Sequence, residues 1–308
     1  MAVDARFCAM GTSVHVIVHG DAALLARARA RIDLLEQRWS RFLPNSEVST
    51  LNRLAGRPVI VSDDTVELVA AAVDGWRVTS GRFDPTVLGD VLRAGYDTSY
   101  RIVAERGGRG SSTLQRGCDA IRFDRDVRIV ELPAGVGFDP GGLGKGLAAD
   151  LVADELLAAG AIGACVNIGG DVRVEGDAPD RGSWVVAIED PTTDREVAAV
   201  ALDAGGVATS TTAKRTWRAG HATMHHIIDP TTGSPAVSSI VSASALARTA
   251  TGAEVMAKAA MLAARESALD TVTTLGGEGL VIDHRGEITT SPGFGAFALD
   301  RVGPREAA

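Results

Sequence analysis

The sequence predicts an α/β protein of the α+β type, in which a mixed or antiparallel sheet is flanked by helices. Segments with the alternating pattern of strands are interspersed with segments of helical periodicity. Two successive strand patterns, at 184–188 and 197–202, are joined by the polar turn 190–194, as in an antiparallel hairpin. A regular strand–helix–strand series, which would indicate a parallel sheet, does not appear in the pattern.

The other elements follow from the same two periodicities. Alternating polarity predicts strands at residues 14–19, at 164–168 and in a segment that ends at Val174, and helical spacing predicts helices at 22–39, 62–80, 145–159, 251–262 and 267–275. The loop after the first helix is expected to enter another helix at an Asn45 or Ser46 cap. The polar residues 101–117, rich in Gly and Arg, predict a mobile loop.

Length and charge limit the classes of function. A chain of 308 residues is expected to form one domain, 1–308, as a single body or as two intimately packed lobes, with a loose tail at 303–308. The formal net charge of −8 argues against non-specific binding of nucleic acid. No segment approaches the roughly 18 apolar residues of a membrane span, and the N-terminus lacks a secretion signal, so a cytosolic protein is expected.

The stretch FDPGGLGKGLAAD at 138–150 is the most informative segment for function. Its glycines allow the backbone to approach a ligand closely, and the predicted helix that follows offers free N–H groups to an anion. Lys145 adds a positive charge at this junction, so a phosphate group is the expected guest. The segment does not match the P-loop or the dinucleotide-binding fingerprint. The alternative is that the glycines serve only the packing of a turn against a helix.

Two further features accompany this segment. The tripeptide Phe-Asp-Pro occurs at 83–85 and again at 138–140, which places Asp84 and Asp139 in similar turns. Each Asp either accepts backbone hydrogen bonds in its own turn or contributes to a site. Adjacent residues of a strand point to opposite faces, so only one of His225 and His226 is expected to enter a site.

Seven short motifs follow one another along the chain. They are MGT at 10–12, SRFLPNSEVSTLN at 40–52, SGRFDPT at 80–86, DPGGLGKGLAAD at 139–150, NIGGD at 167–171, ATS at 208–210 and HHIIDPTTGSP at 225–235. In this order they resemble the ApbE-type family of FAD:protein FMN transferases. The resemblance implies a T-fold-like α/β architecture, FAD as the ligand, and a client protein that accepts FMN on a Thr or Ser hydroxyl while AMP is released.

The resemblance also assigns site residues. It implies that FAD is contacted by Met10, Phe42, Arg82, Phe83, Asp84, Asp139, Lys145 and His226. Flat apolar contacts from Met10 and Phe42 suit the isoalloxazine ring. His226 is expected beside the reacting phosphate, where it either assists proton transfer or holds the phosphate group.

A magnesium ion is also implied, but here the sequence departs from the family. The family has an Asp and a Thr as ligands where this chain has Glu254 and Lys258, and two backbone carbonyl ligands correspond to Gly142 and Ala257. An ammonium has no lone pair to give a metal ion and repels it, which makes metal binding doubtful. Glu254 and Lys258 are also spaced for an ordinary ion pair along one helix.

Three hypotheses remain open at this stage. The chain transfers FMN or cleaves FAD with the Lys258 ammonium acting in catalysis in place of magnesium, or it binds magnesium in a shifted geometry through Glu254. Alternatively, it binds flavin without turning it over. Hydrolysis of FAD to FMN and AMP is the runner-up to transfer, because some relatives catalyse it.

Overall fold

Helices and strands are both present along the chain, with a long run of strands between residues 163 and 247. The computed structural model describes residues 1–180 and 182–299. The helices are α1 (Ala23–Trp39), α2 (Glu47–Arg53), α3 (Asp63–Val78), α4 (Leu88–Arg93), α5 (Tyr100–Arg106), α6 (Gly144–Ala158), α7 (Ala250–Met261) and α8 (Ala268–Thr274). None of these described helices has the length and apolar character needed to cross a membrane.

The strands form one large sheet and several small ones. They are β1 (Ala2–Ala9), β2 (Thr12–His19), β3 (Val59–Ile60), β4 (Arg122–Asp124), β5 (Ile129–Glu131), β6 (Gly163–Ile168), β7 (Asp171–Gly176), β8 (Trp184–Asp190), β9 (Arg195–Leu202), β10 (Gly205–Thr211), β11 (Thr216–Ala219), β12 (Ala222–His225), β13 (Ile228–Asp229), β14 (Ser234–Pro235), β15 (Ile240–Ala247), β16 (Glu278–Asp283) and β17 (Ile288–Thr290). The large sheet has eight strands in the order β1-β2-β6-β7-β10-β15-β16-β17. Every neighbouring pair in it is antiparallel.

The two faces of the large sheet are covered by different structures. On one face, Val14, Val16 and Val18 of β2 belong to the same buried cluster as apolar residues of α1 and α6. On the other face, Val172 and Val174 of β7 pack with the antiparallel hairpin formed by β8 and β9. Because side chains alternate between the faces of a strand, both faces can be buried at once.

The predicted elements agree with the structure except in one segment. Residues 101–117 were expected to form a mobile loop, but α5 occupies the first part of that segment. Val103 is fully buried in a cluster with Tyr96 and Trp217, and the Tyr100 hydroxyl donates to the carbonyl of Thr216 at 3.2 Å. Tertiary packing therefore forms a helix where the local sequence is weakly periodic. The tail expected at 303–308 lies outside the described residues.

Helices α6 and α7 approach closely where the Gly-rich segment enters α6. A Cβ atom on Gly146 would lie 2.6 Å from the carbonyl oxygen of Ala250, so only glycine fits there. Asp150 of α6 caps α7, because its Oδ1 accepts the Ala250 N–H at 2.8 Å and its Oδ2 accepts the Thr251 N–H at 2.9 Å. The start of α6 is thereby fixed against the start of α7.

The substitution Asp150→Ala is expected to lower the free energy of unfolding by about 1–3 kcal/mol, because it leaves two N–H groups at the start of α7 without an acceptor. Urea denaturation measures this change. Asp154→Ala is the matched control, since Asp154 is an exposed carboxylate on the same helix. Equal losses in the two variants would contradict the capping role of Asp150.

Candidate functional site

A cavity of about 470 Å³ lies where the loops that precede α2, α4 and α6 meet α7. The sequence-predicted residues that line it are Met10, Phe42, Arg82, Phe83, Asp84, Asp139, Gly142, Lys145, His226 and Lys258. The other two predicted residues, Glu254 and Ala257, are buried in α7 behind this lining. Five of the seven motifs, all except those at 167–171 and 208–210, thus meet at this cavity.

One end of the cavity is aromatic. The Arg41 guanidinium lies 4.1 Å from the ring centroid of Phe42 and 4.7 Å from that of Tyr96. Tyr96 in turn packs on Trp217, with ring centroids 5.2 Å apart. Phe42 is 38% exposed, so it has apolar surface left to contact a flat ligand.

Three of these residues were not identified from the sequence. Arg41 belongs to the motif at 40–52 and is next to Phe42 in sequence, so the motif could have identified it as a site residue. Tyr96 and Trp217 lie outside the seven motifs. They belong to one buried cluster with Val103 of α5, in which Tyr96 lines the cavity and Trp217 packs against Tyr96. Sequence patterns report local periodicity and do not reveal such contacts.

The two Phe-Asp-Pro turns have different roles in the cavity wall. Asp84 Oδ1 accepts from the backbone N–H and the hydroxyl of Thr86, at 2.7 and 2.5 Å, and burial raises the pKa of Asp84. Asp139 Oδ1 accepts the Gly141 N–H at 2.8 Å, while its Oδ2 lies 3.1 Å from Arg41 Nε. Both carboxylates therefore close their own turns, and Asp139 also orients Arg41.

The Gly-rich segment is held at both ends by side chains from distant parts of the chain. Before it, the Asn52 amide accepts the Phe138 N–H at 2.7 Å and donates to the Phe138 carbonyl at 2.9 Å. After it, Glu254 Oε2 accepts the Gly146 N–H at 2.9 Å. The Gly-rich segment is consequently a preorganised part of the cavity wall.

Lys145 is an anchor of this segment. Its ammonium contacts Asp171 and lies 3.1 Å from Glu254 Oε1. Burial lowers the pKa of Lys145, and the neighbouring Glu254 opposes this effect. The helical ion pair expected between Glu254 and Lys258 is wrong, because Glu254 is engaged by Lys145 and by the Gly146 backbone.

Lys258 instead turns toward the cavity. A Cβ atom on Gly142 would lie 3.3 Å from the Lys258 Nζ and 2.7 Å from the Phe83 ring, so glycine makes room for the ammonium. Burial lowers the pKa of Lys258, while Glu254 and Asp139 raise it. Arg215, which was not identified from the sequence, lines the same cavity and further lowers the pKa of Lys258.

His226 lines the cavity, and His225 does not, as expected for neighbours that point in opposite directions. His225 Nε2 lies 3.0 Å from the carbonyl oxygen of Ala236. Burial, followed by the charges of Lys258 and Arg215, holds the pKa of His226 well below its usual value. Its Nδ1 is buried without a hydrogen-bond partner among the described residues. These surroundings therefore favour the neutral imidazole of His226, which has one unprotonated ring nitrogen.

The magnesium ion implied by the sequence does not fit these residues. Both oxygens of Glu254 are engaged, one by Lys145 and one by the Gly146 N–H. The Lys258 ammonium lies beside Gly142, whose carbonyl was an expected ligand. A cation in that place repels a metal ion and offers it no lone pair. The described residues also contain no cluster of three His, Cys, Asp or Glu side chains that could hold a metal ion.

Comparison with known proteins adds independent information. The model of the ApbE family matches residues 10–281. The chain is 27% identical to the FAD:protein FMN transferase of Haemophilus influenzae over 278 residues, which cover 85% of this chain and 80% of that protein. It is 32% identical to the FAD:protein FMN transferase of Rhodobacter capsulatus over 276 residues, which cover 86% of this chain and 52% of that protein.

Solved structures show the same fold. The crystal structure of the ApbE protein of Thermotoga maritima has a TM-score of 0.86 and 27% identity, covering 97% of this chain and all of the other, 100%. The apo form of the Pseudomonas stutzeri flavinyl transferase ApbE has a TM-score of 0.80 and 23% identity, covering 96% of both chains. The α/β class with its large antiparallel sheet and flanking helices is thereby confirmed.

Proposed function

Since this chain belongs to the ApbE family, we propose that it binds FAD in the described cavity and transfers the FMN half to a Thr or Ser hydroxyl of a client protein, releasing AMP. The observation that supports this proposal is that one cavity has both an apolar surface and a positively charged surface. Phe42 and Met10 offer apolar surface to a flavin ring, and Lys258, Arg215 and the Gly-rich segment offer positive charge to a diphosphate.

The proposed reaction is a phosphoryl transfer. The client hydroxyl oxygen bonds to the phosphorus of the FMN half, and the bond from that phosphorus to the bridging oxygen breaks. AMP leaves with the bridging oxygen and its electron pair, and the hydroxyl proton goes to His226. Positioning and charge neutralisation supply most of the catalysis in reactions of this type.

His226 suits the role of general base because its environment keeps it neutral. A base must be unprotonated in the free enzyme and must lie in the site where the hydroxyl loses its proton. His226 meets both conditions, since it lines the cavity and its pKa is held well below the usual value. In this proposal the aromatic residues orient the flavin, and Asp139 acts through Arg41.

The experiment is to incubate the purified chain with FAD and the acceptor protein of one of the related transferases. Flavin fluorescence of the denatured acceptor and chromatography of AMP follow the two products. Covalent flavin and AMP in equal amounts are expected, and an acceptor whose target Thr is replaced by Ala should remain unlabelled. Free FMN and AMP without labelling would favour hydrolysis of FAD. Binding of FAD with no product would favour a flavin-binding protein.

The dependence of kcat/KM on pH tests the state of His226. Because the pKa of His226 in the folded protein lies well below 6.5, the neutral imidazole persists as the pH falls from 8 to 6.5. We therefore expect kcat/KM, which reports on groups of the free enzyme, to decline only below pH 6.5. A decline centred at or above that value would contradict the proposed environment of His226.

A further inference from the structure

Two partly buried cations of the cavity have no counter-ion among the described residues, whereas the unpaired Arg82 and Arg101 are exposed to water. The two are Lys258 and Arg215, and both line the cavity. Across residues 1–180 and 182–299, no carboxylate oxygen lies within 4.0 Å of either side chain, and neither side chain makes a hydrogen bond. A charged group that is partly withdrawn from water without a partner is destabilising. Such groups are therefore expected to face an anionic ligand.

The acidic residues near these cations are engaged elsewhere. Asp139 faces Arg41 Nε at 3.1 Å, and Glu254 faces Lys145 Nζ at 3.1 Å. Both acids still raise the pKa of Lys258, which shows that they lie within electrostatic range. If Asp139 turned toward Lys258, Arg41 would lose its carboxylate partner, and if Glu254 did so, the Gly146 N–H would lose its acceptor. The positive charge of Lys258 is thus available to a ligand.

The two cations are positioned by unusual local geometry. Gly142 lacks the Cβ atom that would crowd the Lys258 ammonium at 3.3 Å. Arg215 lies between β10 and β11 and has a φ of 54°, in a region that non-glycine residues seldom occupy. Strained residues of this kind are concentrated at sites that bind ligands.

The geometry points to a phosphate site that needs no metal ion, in which Lys258 and Arg215 bind the diphosphate of FAD directly. This inference rests on the proposed function. A dinucleotide diphosphate carries two negative charges at neutral pH, and the two side chains carry two positive charges. They therefore supply the neutralisation that a divalent ion provides at other phosphoryl-transfer sites. This role also accounts for the poor fit of the site to magnesium.

The experiment measures the dissociation constants of FAD and riboflavin for the whole chain, by flavin fluorescence, in buffer with EDTA and in buffer with magnesium. Riboflavin lacks the phosphates, so it reports on the flavin surface alone. The variants are Lys258→Met and Arg215→Met. The control is Lys214→Met, because Lys214 is a surface residue that pairs with Asp194 at 3.3 Å and does not line the cavity.

For the unaltered chain, FAD affinity is expected to be the same in EDTA and in magnesium. Lys258→Met and Arg215→Met should each weaken FAD binding by about tenfold to a hundredfold, with little effect on riboflavin. Lys214→Met should change FAD affinity by less than about twofold.

Two results would overturn the inference. FAD binding that is lost in EDTA and restored by magnesium would show a metal site, and the proposed transfer would survive this result. Equal losses of affinity for FAD and for riboflavin in the Lys258 and Arg215 variants would contradict direct contact of these side chains with phosphate. If FAD bound in neither buffer, the inference and the proposed function would fail together.

Discussion

Replacement of His226 with Gln is expected to lower the rate of FMN transfer by about a hundredfold to ten-thousandfold. The amide of Gln has nearly the reach of the imidazole but cannot accept a proton from the client hydroxyl. FAD binding should be retained, because the aromatic residues Phe42 and Tyr96 and the cations Lys258 and Arg215 are unchanged. Single-turnover transfer and FAD titration separate these two effects.

His225→Gln is the matched control for this prediction. His225 is the neighbouring residue, points away from the cavity and contacts the carbonyl oxygen of Ala236. Its replacement should leave transfer nearly unchanged. If both variants lost the same fraction of the transfer rate, a change in local structure would explain the loss, and the assignment of His226 as base would fail.

Lys145→Met is expected to have the largest effect on stability, a loss of about 3–5 kcal/mol in the free energy of unfolding. Lys145 is the partner of two carboxylates whose side chains are only 3% and 4% exposed, those of Asp171 and Glu254. Without its ammonium these two negative charges remain buried together. Urea denaturation monitored by circular dichroism measures the loss.

Lys258→Met provides the contrast, since it removes the same charge from the same cavity. The Lys258 ammonium has no ion-pair partner among the described residues, so its removal leaves no carboxylate unpaired. We expect Lys258→Met to be at least as stable as the unaltered chain, because it removes the cost of burying an ammonium and also relieves repulsion with Arg215. Similar destabilisation in the two variants would contradict the different roles given to the two lysines.

Much of the fold follows from local patterns. The helix predicted at 145–159 is observed as Gly144–Ala158, and the hairpin predicted around 190–194 is formed by β8 and β9. Both segments have strong periodicity and clear turn signals, which depend on neighbours in sequence. Helix α5 was missed because its single fully buried residue, Val103, is stabilised by residues far along the chain.

The location of the candidate site was also accessible from the sequence. The motifs mark positions where the backbone conformation or the charge requires a particular residue type, such as the Gly-rich segment before α6. All of the residues predicted to contact FAD line one cavity. Their individual roles remain predictions, and the experiments on His226, Lys258 and Arg215 address them.

The sequence by itself determined the α/β class, the positions of the strongly periodic elements and the motifs, five of which converge on one cavity, because these depend on local periodicity and residue chemistry. The tertiary structure alone decided how the charges are paired. Glu254 has Lys258 four residues away on its own helix, yet it pairs with Lys145, which is 109 residues distant in sequence. The physical reason is that the close approach of α6 and α7 brings Lys145 and the Gly146 N–H to the same carboxylate, which leaves the Lys258 ammonium free to face the cavity.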